Sequence, residues 1–100
     1  MLLWVIYDIS DNLLRSRVAE KCKDYGLRRV QRSAFLGELS RNSAEMLAVE
    51  LENVLSDTRS VGEDSVILLQ MCNACIKKVT AVGRDLEVED FRDRGYAYFG

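Results

Sequence analysis

Apolar positions along this chain fall into blocks with two different periods, and the periods name the elements. Leu2-Leu3-Trp4-Val5-Ile6-Tyr7 is apolar throughout and rich in aromatic and β-branched types, which predicts a central strand covered on both faces. Asp8 closes it. Leu14, Val18, Cys22 and Tyr25 then recur at i, i+4, i+8 and i+11, forming one buried stripe of a helix that Ser10 or Asp11 can cap. Arg15 and Arg17 flank that stripe on opposite sides. Gly26 supplies a left-handed C-cap. Between Leu27 and Leu39, the positions of Val30, Ser33, Phe35 and Leu39 fit one long bulged strand, or a short strand turning tightly into another. Asn42 with Glu45 resembles a capping box, and Ala44, Leu47, Ala48, Leu51, Val54 and Leu55 keep helical spacing to about Ser56. Ser65 to Met71 reads as a second central strand and Cys72 to Cys75 as its turn. Ile76 to Val82 reads as a short alternating strand ending at Gly83. Tyr96-Ala97-Tyr98-Phe99 gives a last four-residue strand signal.

A β-α-β-β-α-β order predicts an α+β, ferredoxin-like sandwich with both helices on one face of an antiparallel sheet. The other face is then bare, although the first and fourth strands are apolar on both sides. Such a patch exceeds what monomers expose, so the expectation is a face-to-face homodimer. Residues 1–84 form the domain, and the 85–100 tail, with its extra C-terminal strand, is exchanged or paired across the dimer.

One hundred residues suffice for one domain, and 48% hydrophobic with 30% charged residues suits a globular chain. The longest apolar runs fall far short of the roughly 20 residues that span a bilayer. Three cysteines without an export signal point to a reducing cytoplasm rather than a disulfide framework. Histidine is absent. That excludes a histidine general base, a Ser-His-Asp triad and histidine zinc sites, and leaves carboxylates with a hard metal ion for any hydrolytic chemistry.

The net charge of -2 conceals an uneven distribution. Between Asp11 and Ser33, seven bases (Arg15, Arg17, Lys21, Lys23, Arg28, Arg29, Arg32) face three acids, whereas acids outnumber bases eleven to five from Ala34 to Asp90. An arginine-weighted patch suits phosphate, which the planar guanidinium grips with two parallel hydrogen bonds. The same pattern also suits a solvated helix face with i,i+4 ion pairs. Asp8 stands at the rim of a buried strand. A two-fold axis near the strand ends would bring it beside its symmetry mate as an oxygen site for Mg²⁺, with Mn²⁺ as substitute; alternatively it caps the helix or meets Arg15. Tyr7 and Phe35 offer rings to a base or belong to the core. Cys72-x-x-Cys75 has the spacing of half a zinc site or a redox motif, or simply packs a turn.

Three blocks, Val5-Ile6-Tyr7-Asp8-Ile9-Ser10-Asp11, Arg15-Ser16-Arg17-Val18 and Tyr25 to Phe35, together resemble the second CRISPR-associated (Cas) protein family, the small adaptation-module endoribonucleases. Ala34 departs from the family's usual valine. The resemblance implies a ferredoxin-like dimer with Asp8 as Mg²⁺ ligand and catalytic residue, and Tyr7 beside it. It also implies that Arg15, Arg17 and Arg29, with Arg28 and Arg32 nearby, contact nucleic acid, and that Phe35 is the aromatic of the Gln-x-Ser-x-Phe block. The implied function is spacer acquisition. In one form, the homodimer holds duplex DNA, with RNA as the other candidate, by its backbone and scaffolds the CRISPR integrase subunit, the first Cas protein. In another, the chain is itself a Mg²⁺-dependent endonuclease, and a toxin-like endoribonuclease acting without an integrase is the further alternative.

Overall fold

The computed structural model describes residues 1–72, 74–80 and 82. Seven elements follow in order: β1 (Leu2–Asp8), α1 (Asn12–Asp24), β2 (Arg28–Gln31), β3 (Ala34–Glu38), α2 (Arg41–Leu55), β4 (Ser65–Met71) and a 3₁₀ turn, Cys75–Lys78. The strands form one sheet in the order β2-β3-β1-β4, antiparallel at every pairing. This is the expected ferredoxin-like sandwich. The expected tail strand and the 85–100 exchange lie outside the described residues.

β1 is central because it is apolar on both sides. Leu3, Val5 and Tyr7 join Leu14, Val18 and Cys22 of α1 and Leu47 and Leu51 of α2 in the larger core cluster. Leu2 faces the other way, into a smaller cluster with Val30, Ala34, Leu36 and Ile76, flanked by Trp4, Met71 and Val79. Two-residue periodicity thus divides one strand between two cores.

Asp11 caps α1, its carboxylate accepting from the Leu14 N–H at 2.9 Å. Gly26, at φ +83°, ends the helix: its N–H reaches the Lys23 carbonyl and the Leu27 N–H the Cys22 carbonyl. This pair of hydrogen bonds satisfies carbonyls that the helix end would otherwise orphan. Leu27 then folds over Gly37, where a Cβ would stand 2.6 Å from Leu27 Cδ2. Of the two expected forms of the 27–39 stretch, the structure takes the short strand turning into another: the chain turns at Arg32–Ser33, and the bulge survives only as a one-residue irregularity of β2 between Arg29 and Gln31.

Two expectations need correction. The cap of α2 is Ser40, whose hydroxyl accepts from the Ser43 N–H at 3.1 Å, so Asn42 is already helical and Glu45 lies near Arg41 on the exposed face. The second concerns Ile76 onward, where the chain takes a 3₁₀ turn rather than a strand. A strand would send Ile76 and Val79 to opposite sides, whereas about three residues per turn brings both onto the smaller cluster.

Candidate nucleic-acid interface

The basic segment gathers where α1 passes the β2–β3 hairpin. A cleft of about 490 Å³ opens there, lined by Tyr7, Arg15, Lys23, Arg29, Arg32 and Ser33 among others, with Glu20 as the acid among its described lining residues. Arg15 and Lys23 come from α1, Arg29 from β2 and Arg32 from the turn after it. Arg15 projects from the first turns of α1, its Nη1 donating to the Ile9 carbonyl at 3.3 Å. Arg29 comes from β2, its guanidinium carbon 5.1 Å from the centroid of the Phe35 ring across the pair. Its Nη1 donates to the Arg32 carbonyl at 3.0 Å. The Tyr7 hydroxyl approaches the same carbonyl at 3.4 Å, and its ring stacks beside Phe35 at 6.3 Å.

This arrangement fixes what each aromatic can do. Phe35 is fully enclosed, so its ring is a platform under Arg29 and offers no free face to a base. Such a cation over an aromatic face gains roughly 0.5–1 kcal/mol at exposed sites and loses freedom of movement. Tyr7 is also buried, and burial raises its phenol pKa against the opposing pull of Arg29 and Arg15. It therefore stays a neutral donor at physiological pH. Burial likewise pushes the Cys22 thiol up to about 12, which makes it an inert core residue.

Not every candidate arginine reaches the cleft. Arg17 leaves α1 on the opposite side and pairs with Asp57 at 3.2 Å. Arg28 is half-buried and pairs with Leu36, a member of the cluster on the other sheet face. Lys23, by contrast, lines the cleft without having been singled out from sequence. The signal was present: Arg15, Ala19 and Lys23 lie at i, i+4 and i+8, and all three line the cleft.

Asp8 stands apart from this cluster. It ends β1 opposite Ser65, exposed, in the row of Leu2, Trp4 and Ile6 rather than that of Tyr7. Its carboxylate neither caps α1 nor meets Arg15, since Asp11 and the Ile9 carbonyl take those roles, and it has no hydrogen bond or ion pair among the described residues. The adjoining turn is held by Asp64, which accepts from the N–H groups of Ser10 at 3.1 Å and Val61 at 3.0 Å and from the Ser60 hydroxyl. Those two N–H groups lower the Asp64 pKa, so this second acid is already engaged. No group of three or more potential metal ligands occurs among the described residues. Among the described residues, this rim therefore offers Mg²⁺ a single free carboxylate, which fits an ion that keeps several waters only if another body completes the set.

The open face around Asp8 is apolar. Ile6 is 40% exposed, and its β4 neighbours Ile67 and Leu69 are 56% and 50% exposed. The Trp4 indole N–H is enclosed without a hydrogen-bond partner among the described residues.

Residues 1–79 match the family model described as CRISPR associated protein Cas2. The chain belongs to that family. It is 35% identical over 98 residues to the CRISPR-associated endoribonuclease Cas2 1 of Archaeoglobus fulgidus, a match covering 98% of this chain and 99% of that one. A CRISPR-associated endonuclease Cas1/endonuclease Cas2 fusion of Thermoproteus tenax is 43% identical over 51 residues, 51% of this chain and 19% of the fusion. Among solved structures, the Cas2 of Streptococcus pyogenes at pH 6.5 superposes with a TM-score of 0.69 at 24% identity, covering 83% of this chain and all of that one. That likeness concerns the fold. No helix among the described residues is long and apolar enough to cross a membrane.

Proposed function

We propose that this chain serves CRISPR adaptation as a homodimer that grips the backbone of duplex nucleic acid and scaffolds a Cas1 integrase. The observation that carries the reading is the convergence of Arg15, Lys23, Arg29 and Arg32 on one cleft. Guanidinium groups held by backbone carbonyls and an aromatic platform recognise phosphate without reading bases. The fused Cas1 and Cas2 units of the Thermoproteus tenax relative support the choice of partner. A second copy across the open face would cover Ile6, Ile67 and Leu69, and would double the cationic clefts.

A second reading is favoured by the unpaired Asp8 carboxylate and by the endoribonuclease name of the Archaeoglobus fulgidus relative. Here the dimer is itself a phosphodiesterase acting on RNA or DNA, with Asp8 of each copy as the residue that would hold Mg²⁺ or Mn²⁺. Such an ion would activate water and neutralise charge developing on phosphate. The chain's own part would be to orient that ion through Asp8 and hold the strand through its arginines. With no histidine in the chain and Asp64 committed to backbone, a general base is missing from this rim. Scaffolding is therefore the primary reading.

Binding of a fluorescent DNA duplex at rising salt tests it. Arg15→Ala and Arg29→Ala should each weaken binding across unrelated sequences and flatten the slope of log K against log salt by about 0.9 for each phosphate left without its cation. Asp8→Ala should bind as the wild type does while losing any Mg²⁺-dependent cleavage. Unchanged affinity and slope in both arginine variants would refute the backbone-binding reading.

A further inference from the structure

The two exposed cysteines are the group that the proposed function leaves unused. Cys72 follows β4 directly, and Cys75 begins the 3₁₀ turn. The Cys75 N–H donates to the Cys72 carbonyl at 3.0 Å, closing a turn that sets the two Sγ atoms 2.8 Å apart in a shared hydrogen bond. A disulfide requires about 2.05 Å between sulfurs, so bond formation needs only a small further approach. Neither sulfur is shielded from solvent. From the juxtaposition of these two exposed thiols in one closed turn, we propose that Cys72 and Cys75 form a reversible dithiol–disulfide site that exchanges with low-molecular-weight disulfides.

The two sulfurs differ in role. Hydrogen bonds from the Cys75 thiol and from the N–H groups of Cys75 and Ala74, with the Lys78 charge nearby, lower the Cys72 pKa, while the hydrogen bond to Cys72 raises that of Cys75. Cys72 is accordingly the attacking thiolate and Cys75 the resolving thiol. In the first step the Cys72 thiolate bonds to one sulfur of the small disulfide and expels the other half as a thiolate. In the second, Cys75 gives its proton to solvent, attacks the Cys72 sulfur and expels the remaining half. The protein loses two electrons and two protons, and the small disulfide becomes two thiols. A zinc site is the competing use of this spacing, but a structural zinc takes four ligands, and only these two sulfurs meet here among the described residues.

The site's position gives oxidation a structural consequence. Ile76, the residue after Cys75, is fully enclosed against Leu2, Val30, Ala34 and Leu36. A bond between Cys72 and Cys75 would fix the turn immediately before that anchor, on the open face of the sheet.

The test equilibrates the full chain with mixtures of reduced and oxidised glutathione, quenches with an alkylating reagent and maps the products by mass spectrometry. The expected result is an intrachain Cys72–Cys75 disulfide, reversed by excess reduced glutathione, with Cys22 alkylated only after unfolding. In the reduced wild type, Cys72 should alkylate faster than Cys75 near neutral pH, following its larger thiolate fraction. Cys75→Ser should accumulate mixed disulfide on Cys72, and Cys72→Ser should accumulate much less on Cys75. Bonds formed only between chains, equal reactivity of the two thiols, or retention of stoichiometric zinc that blocks oxidation would each overturn the proposal.

Discussion

The two faces of the sheet are made from the same strands and meet very different fates. On the helix side, Leu3, Val5, Tyr7 and Phe35 are all buried against residues supplied by this chain. On the other side, burial fades along β1, from an enclosed Leu2 beside Ile76 to a 40% exposed Ile6 and an exposed Asp8. The covered face secures the fold. The graded face carries the one strand-end carboxylate free of partners among the described residues and leaves its apolar border in solvent. The contrast gives the first face the stability of the subunit and leaves the second as the surface that the proposed dimer would cover.

Substitutions can break that assignment. Phe35→Ala, in the covered face, should cost about 3–5 kcal/mol in urea unfolding, through reduced burial and a residual cavity. Ile67→Ser, on the open face, should cost the isolated subunit under about 1 kcal/mol yet weaken self-association at least tenfold. Comparable losses of subunit stability in both variants would remove the distinction between the faces.

A smaller effect sharpens it at the Asp8 rim. Backbone N–H groups of Val61 and Ser10 depress the Asp64 pKa in the folded state, so its contribution to stability is present above the ordinary aspartate value. That contribution is lost as pH falls through the depressed one. Thermal unfolding of the wild type should therefore shift to lower temperature as pH falls through this acid window, and Asp64→Asn should reduce the dependence. An identical acid profile in the variant would show that this loop does not hold the turn after β1.

Much of the fold was legible because its signals are local and periodic. The stripe of Leu14, Val18 and Cys22 placed α1, and its flanks placed Arg15 and Arg17 on the opposite sides they occupy. Gly26 marked the helix end through a backbone angle that side chains resist. Less local features escaped. Ser40 outcompeted Asn42 as a cap because its hydroxyl meets the Ser43 N–H, a choice that composition alone does not rank. Ile76 and Val79 read as strand until the smaller cluster supplied a reason to turn. At the site, charge counting found the basic segment but not its division. Only the folded hairpin and helix separate the cleft of Arg15, Lys23, Arg29 and Arg32 from Arg17 and Arg28, and only the strand pleat puts Asp8 on the other face.

Sedimentation equilibrium of the full chain at micromolar concentration tests most directly whether the open face is an assembly surface. The expected mass is twice the 11.4 kDa of one chain, falling toward a single copy in Ile67→Ser. A wild type that sediments as a single copy across that range would contradict the account.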